Sequence, residues 1–454
     1  MDERLEVFKN KAIPKAIAAL AIPTVLTQII TAIYNLADIF WVGRTGDPDQ
    51  VAALTLAFPL FMSLTLIGNL FGIGGNSFIA RSLGAEKWEQ ARKSSTFSFY
   101  GALVTTIAFG IVFYLNMDPL LRLIGASDAT IGFTRKYLIW VLLVGGLPTE
   151  ASLLLGHLLR AIGEAKKASA GLMLGGLLNI ALDPLFIFAL KMGAPGAGLA
   201  TCVSNCVALI YLLIQWKRLR SGVIDLNPAH FTLQGHIVKS VLLVGFPSAL
   251  IILLASTGNM VMTRCASTYG DVTIAAFGVT QKAGLIVAYI ANGMAQGVMP
   301  LISYNYVAGA GQRVKRTIQI SVLTLLAFAV LMVVLLELFP RQYVLLFIND
   351  PETVALGTRF VRIMSLPIPC PCMIVMFNSI FQAIGKWKHS LFLNIMRQGV
   401  LIIPAILILN RLFALTGLVV AQPIAEFFAA LLALGMFLRE VKHGNIYSDE
   451  PKEV

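Results

Sequence analysis

Two aspartates stand inside long apolar stretches of the chain. Asp38 lies in Tyr34-Asn35-Leu36-Ala37-Asp38, and Asp183 in Asn179-Ile180-Ala181-Leu182-Asp183-Pro184. On a helix, residues three or four apart share a face, so Asn35 accompanies Asp38 and Asn179 accompanies Asp183. Neither aspartate has a basic residue one helical turn away. In lipid, an ionisable side chain at a helix centre costs about 2.5–3.5 kcal/mol on insertion scales, so its presence needs a reason. One reason is structural: a carboxyl satisfied by its asparagine and by backbone donors can pin helices together. The other is a site between helices for a proton or a cation. Two carboxylates in one buried site repel each other until one of these arrives.

Four more charges interrupt apolar stretches: Glu150, Lys282, Arg397 and Glu426. Glu426 is near the middle of its stretch. It is expected either to pair with Lys282 as a structural bridge or to act as a substrate-binding acid in the C-terminal half. The chain has 15 Met, 27 Phe, 11 Tyr and 5 Trp, and a minority of these could line a cavity that repacks around varied guests. Five cysteines make no disulfide framework, and those in apolar runs read as small packing residues. Cys370-Pro371-Cys372 has the composition of a soft-metal site, but no Asp-Lys-Thr-Gly of a metal-pumping ATPase accompanies it. Pro367, Pro369 and Pro371 read instead as a helix break that makes a hinge. No phosphate-binding Gly-x-x-x-x-Gly-Lys-[Ser/Thr] loop occurs, which argues against ATP as the energy source. The histidines at 157, 230, 236, 389 and 443 are not clustered as a membrane enzyme's metal or catalytic site requires. An enzyme is not expected, nor a metal or cofactor.

The elements that position these residues must be membrane helices. Of 454 residues, 57% are apolar and 13% charged, against about 25% charged in soluble chains, and the mean hydropathy is +0.80. Disordered, disulfide-rich secreted and nucleic-acid-binding proteins are excluded, and no room remains for a sizeable soluble catalytic domain. Apolar runs at 13–42, 51–80, 93–117, 131–156, 166–190, 195–216, 238–264, 272–304, 317–339, 353–382, 389–410 and 415–438 are each long enough to cross the hydrocarbon layer. They are predicted to be helices, because an open chain in lipid must satisfy its backbone internally. The net charge of +12 reflects topology: the termini and the even-numbered connections hold 23 Lys and Arg, the opposite connections at most ten. Both termini are therefore expected in the cytoplasm. The first apolar run is too long for a cleavable signal peptide.

The chain is also an internal duplication. At an offset of 224, Pro23 meets Pro247, Asn35 meets Asn259, Gly46-Asp47 meets Gly270-Asp271 and Arg92 meets Arg316. At an offset of 222, Asp128 meets Asp350, Ala161-Ile162-Gly163 meets Ala383-Ile384-Gly385 and Lys166 meets Lys388. The expected fold is all-α: twelve transmembrane helices in two six-helix lobes, 1–220 and 221–454, related by a pseudo-two-fold along the membrane normal. Two lobes facing each other across a cleft suit a rocking, alternating-access carrier better than a passive channel. Gly72, Gly74 and Gly75 read as points of close helix packing.

With these features the chain resembles the multidrug and toxic compound extrusion (MATE) family. The matching segments are Asp38-Ile39-Phe40-Trp41-Val42-Gly43, Arg81 with Gly84-Ala85, Arg160-Ala161-Ile162-Gly163, Leu182-Asp183-Pro184, Pro300-Leu301-Ile302-Ser303-Tyr304-Asn305 and Gln382-Ala383-Ile384-Gly385. The resemblance spans nearly the whole chain and is nearest to bacterial drug/cation antiporters. It implies an N-lobe ion-coupling and substrate-binding site of Asp38, Asn179, Asp183 and Thr201, with Asn35 beside it and Pro23 as a bending hinge. The acids that some members carry in spans 7 and 10 are missing here: Met262 stands where Asp38 would repeat. The resemblance thus implies a secondary active exporter of the bacterial inner membrane, a monomer that moves amphipathic and organic-cation compounds outward against H⁺, or else Na⁺. The second reading is a flippase for lipid-linked saccharides, which would need a strongly basic central cavity.

Overall fold

The structure is a computed structural model and describes residues 2–219 and 222–452. The expected boundary between the halves, at residues 220 and 221, lies outside the described residues. Helices α1 (Ile13–Gly43), α2 (Pro48–Gly84) and α3 (Trp88–Leu115) come first. Next are α4, bent by 48° between Ile131–Val144 and Gly146–Ala161, then α5 (Ala165–Ala189) and α6 (Ala194–Leu219). The second half repeats the order with α7 (Gly235–Ser267), α8 (Asp271–Val307) and α9 (Gly311–Leu338). Helix α10 is bent by 45° between Pro351–Ser365 and Pro369–Ala383. Helices α11 and α12 share the stretch Trp387–Lys442 and are divided by a kink at Ala414, where φ is 50°. Among the described residues there is no strand.

Local chemistry explains the boundaries. Asp47 caps α2 by accepting from the Asp49 amide at 3.0 Å, with Pro48 in the first helical position, where its missing N–H does no harm. Asp350 does the same for α10, accepting from the Thr353 amide at 2.8 Å ahead of Pro351. The duplication is visible in three dimensions. Short helices Met117–Leu123 and Pro340–Leu345 follow α3 and α9. The bend in α10 falls at its prolines, and its counterpart in α4 falls at Gly145. Gly46 and Gly270, and again Gly163 and Gly385, hold positive φ of 74°, 93°, 86° and 77°, a conformation that costs glycine nothing.

Helices α1–α6 pack together as one lobe and α7–α12 as the other. The connection between them is fastened to α3: Ser95 Oγ, Thr96 Oγ1 and Tyr100 OH donate to the carbonyls of Val223, Asp225 and Leu226 at 3.1, 2.8 and 2.8 Å. The lobes meet mainly where α2 crosses α7 and α8 crosses α1. In the first crossing, a Cβ on Gly74 would lie 2.0 Å from the Val241 carbonyl oxygen, and one on Gly245 would lie 1.8 Å from that of Leu70. In the second, a Cβ on Gly297 or Gly293 would lie 2.6 Å from the Cα of Ala21 or Val25. Ser77 Oγ donates to the Gln382 carbonyl at 2.7 Å, and Asn305 Nδ2 to the Phe8 carbonyl at 3.2 Å. All of these contacts belong to the helix halves nearer the termini. Further along α8, an added Cβ on Gly278 or Gly284 would meet nothing within 4 Å. The lobes are therefore shut on the side of the termini and parted on the opposite side.

Candidate functional site

Helices α1 and α5 cross at Gly176, where a Cβ would lie 2.6 Å from Ile30 Cγ2 and 3.2 Å from the Tyr34 ring. A side chain there would hold the helices apart. Because the crossing is tight, the next turns bring Asp38 of α1 beside Asn179 and Asp183 of α5. Asp38, Asn179, Asp183 and Thr201 are all buried. Asn179 Nδ2 donates to Thr201 Oγ1 at 3.3 Å, and Thr201 Oγ1 donates to the Ala197 carbonyl at 3.1 Å. That leaves Asp38 Oδ1, Asn179 Oδ1 and both carboxyl oxygens of Asp183 without a hydrogen-bond partner. Four converging acceptors with no donor suit a positive charge, either a proton on a carboxyl or a small cation that prefers oxygen.

Asn35, Asp38 and Thr201 line a cavity of about 210 Å³ with Tyr34, Phe58 and Tyr137. The sequence pattern does not mark Tyr34 or Tyr137. Tyr137 follows the basic pair Arg135-Lys136 near the start of α4, and its position depends on where that helix begins. Two departures from α-helical geometry border the site: a π-helical turn at Leu185–Ala189 directly after Asp183 and Pro184, and another at Ile139–Val144 after Tyr137. Such wide turns often mark functional positions. Helix α1 runs unbroken through Pro23. The ring removes the amide that would bond the Ala19 carbonyl, while Thr27 Oγ1 donates to the Pro23 carbonyl at 3.0 Å.

In the second lobe the expected pairing is corrected. Glu426 is bridged by Arg397, not by Lys282: Arg397 Nε lies 3.2 and 3.0 Å from the two carboxyl oxygens, and Nη2 lies 2.6 Å from one of them. Lys282 is exposed, with Nζ 4.7 Å above the Phe347 ring. The planar fork of arginine fits a carboxylate from two sides, as an ammonium cannot. Glu150 stands apart, fully buried against Gly68, with neither carboxyl oxygen bonded. Between the parted lobes, a cavity of about 450 Å³ is lined by Gln28 and Asn69 of the first lobe and by Asn378, Arg397 and Gln398 of the second. A neighbouring cavity of about 370 Å³ in the second lobe is bordered by Asn259, Gln281, Arg397 and Glu426. Among the described residues, Arg397 is the one basic residue in the linings of these two cavities, far from the strongly basic surface that a pyrophosphate-linked saccharide would need.

The MATE family model (MatE) matches this chain twice, at residues 23–185 and 247–408. The chain belongs to the MATE family. The two matches start 224 residues apart, one in each lobe, and with the apolar helices they make it a multi-pass membrane protein. Similar proteins include the multidrug export protein MepA of Staphylococcus saprophyticus subsp. saprophyticus, 30% identical over 95% of both chains. Among solved structures, an outward-facing conformation of a multidrug resistance MATE family transporter superposes with a TM-score of 0.91 at 25% identity, over 97% of this chain and 98% of the other. A MATE in the straight conformation gives the same TM-score, identity and coverage. The fold is thus the twelve-helix, two-lobe fold of MATE transporters.

Proposed function

We propose that this MATE protein is a secondary active exporter of the bacterial inner membrane, not an enzyme. It moves amphipathic and organic-cation compounds outward, driven by H⁺ entering. The observation that carries this reading is the Asp38–Asp183 pair, two buried carboxyls side by side, three of whose four oxygens are buried without a hydrogen-bond partner. The name of the staphylococcal relative, a multidrug export protein, agrees with it. The excess of Lys and Arg on the side of the termini makes that side cytoplasmic, so the lobes are closed inward and open outward. A single chain contains both lobes, so a monomer suffices.

The pair couples the two flows by charge. With both carboxyls ionised, the site attracts a cation; once a proton is shared, the attraction weakens and the cation leaves. In the opposite direction, loss of the cation leaves a repulsive pair that takes up a proton. Pro23 weakens the backbone ladder of α1 about 22 Å below Asp38, so the upper part of the helix can move as the charge changes. One pH unit supplies about 1.4 kcal/mol per proton and 100 mV about 2.3 kcal/mol per charge. Together they support a concentration ratio of roughly several hundred for an uncharged compound; for a monovalent cation exchanged one-for-one with H⁺ no net charge crosses, and the pH term alone supports roughly tenfold.

The test is efflux of a fluorescent organic cation from proteoliposomes, with H⁺ and Na⁺ gradients imposed separately. Efflux driven by the H⁺ gradient is expected, and Asp38→Asn or Asp183→Asn should abolish it in folded protein. Full efflux by either variant at matched protein content removes the pair from the coupling role. Efflux that needs only a Na⁺ gradient assigns Na⁺ in place of H⁺.

A further inference from the structure

The central cavity has the opposite polarity to the Asp38 cavity. Among the described residues, Asp38 is the one charged residue lining the smaller cavity of the first lobe, whereas Arg397 is the one charged residue lining the cavity between the lobes. Only in the second-lobe cavity does a carboxylate, Glu426, border the same space. A guanidinium carries five N–H donors. Glu426 engages Nε–H and one N–H of Nη2, which leaves both hydrogens of Nη1 and the second of Nη2. No nitrogen of Arg397 is among the described polar atoms that are buried without a partner, so the unspent donors face cavity space. Their position is held from two sides: the bridge to Glu426 fixes the near edge of the guanidinium, and the π-helical stretch Ile395–Ile402 carries its backbone. Neighbouring groups are neutral amides, among them Gln398, Asn378 and Asn394, and apolar side chains such as Met364, Leu285 and Ile368 complete the walls.

We infer that Arg397 is an anion-recognising group of the substrate cavity, and that the protein accepts aromatic amphiphiles bearing a carboxylate as well as cations. The carboxylate docks on the Nη1 edge of Arg397, and the apolar body lies against Met364, Leu285 and Ile368. Glu426 is a positioning residue that holds the guanidinium in place. This inference rests on the proposed function only in taking the central cavity as the substrate cavity.

Two probes with the same body and opposite charge test it: pyrenebutanoate and pyrenebutyl-trimethylammonium. Their binding to the purified full-length protein is measured by fluorescence at equilibrium, with no gradient. Wild type should bind both. Arg397→Gln should weaken pyrenebutanoate about tenfold or more, the effect of losing a charge-assisted hydrogen-bonded pair, and change the ammonium probe less than about twofold. Glu426→Gln keeps the guanidinium and frees further donors, so carboxylate binding should persist or tighten. Should Arg397→Gln fail to fold because Glu426 is left buried and alone, the double variant Arg397→Met with Glu426→Gln removes both charges and should show the same selective loss. Parallel loss of both probes in the folded variants, or unchanged pyrenebutanoate binding in the double variant, overturns the inference. A lauric acid arm separates sources: displacement of the bound ammonium probe by lauric acid, with no measurable pyrenebutanoate binding, would assign the site to membrane fatty acids and overturn it as a site for aromatic substrates. Failure of the proposed function shows elsewhere, as absence of gradient-driven cation efflux by wild type.

Discussion

Replacing Gly245 with alanine should drive the protein out of the state seen here. The new methyl would lie 1.8 Å from the Leu70 carbonyl oxygen and 2.6 Å from its carbonyl carbon, whereas ordinary contact begins near 3.4 Å. The obstacle is backbone inside α2, so no rotamer change clears it, and α2 and α7 must separate by about 1.6 Å at their crossing. Overpacking of this kind costs about 1–3 kcal/mol. The cost falls only on the conformation in which the two helices touch. At about 2 kcal/mol, the middle of that range, the ratio of shut to open lobes on the terminal side falls roughly 30-fold. The assay is thiol labelling in a background with Cys202, Cys206, Cys265, Cys370 and Cys372 replaced. A cysteine introduced at Ser77, which is buried at the seam in this structure, should label much faster in the Gly245→Ala variant. A cysteine at Asn259, in the opposite cavity, should label more slowly. Gly74→Ala should act in the same direction, and Gly278→Ala, with open space around it, should do nothing. Unchanged labelling at both sites would refute the argument, as would a parallel rise at both sites with a general loss of thermal stability.

The packing and the charges set three further outcomes. Gly72→Ala would put a methyl 2.6 Å from His157 Cδ2, so it should destabilise by about 1–3 kcal/mol; His157→Ala should recover most of that in a double-mutant cycle read by thermal denaturation. Glu150→Met replaces a fully buried carboxyl that has no partner and should stabilise by about 1–3 kcal/mol with cation efflux intact; lost efflux at raised stability would give Glu150 a role beyond packing. Asp350 is held below the usual carboxylate range by its hydrogen bonds from the Thr353 hydroxyl and amide. Its ionised cap therefore contributes stability above the unfolded carboxylate range and loses it as the pH falls through the depressed folded value. Melting temperatures of wild type and Asp350→Asn should converge on acidification, and a gap that widens instead would contradict the cap's role.

Much of this architecture is legible in the residues because lipid forces simple rules. Apolar runs must be helices, and a spacing of three or four puts Asn35 with Asp38 and Asn179 with Asp183 on common faces. The prolines before Cys372 mark the bend of α10. Thr201 comes only from the family resemblance, since nothing in its own surroundings distinguishes it from other small polar residues in helices. The partner of Glu426 is not legible from periodicity. Arg397 stands in a π-helical stretch, where the 3.6-residue repeat is lost and a helical wheel assigns the wrong face. Lys282 suits Glu426 by charge alone, and its helix turns it outward. Glycines 72, 74 and 75 do mark close packing, but which neighbour each one meets depends on the tertiary arrangement. Gly72 and Gly75 meet helices of their own lobe, and Gly74 meets the other lobe.

The seam between the lobes is held without charge on charge. Its close contacts are glycine on backbone, joined by hydrogen bonds from Ser77 and Asn305 to carbonyl groups. Among the described residues no ion pair joins the helices of one lobe to those of the other; the pair Arg92–Asp225, at 3.9 Å, ties only the connecting segment to α3. A latch of this kind is blind to cargo. It neither reads the charge of a bound compound nor weakens with salt, because no ion pair in it can be screened. A carrier that takes many unlike compounds needs a door that shuts with the same force whatever is inside. Here recognition is confined to the cavities above, and closure is left to shape.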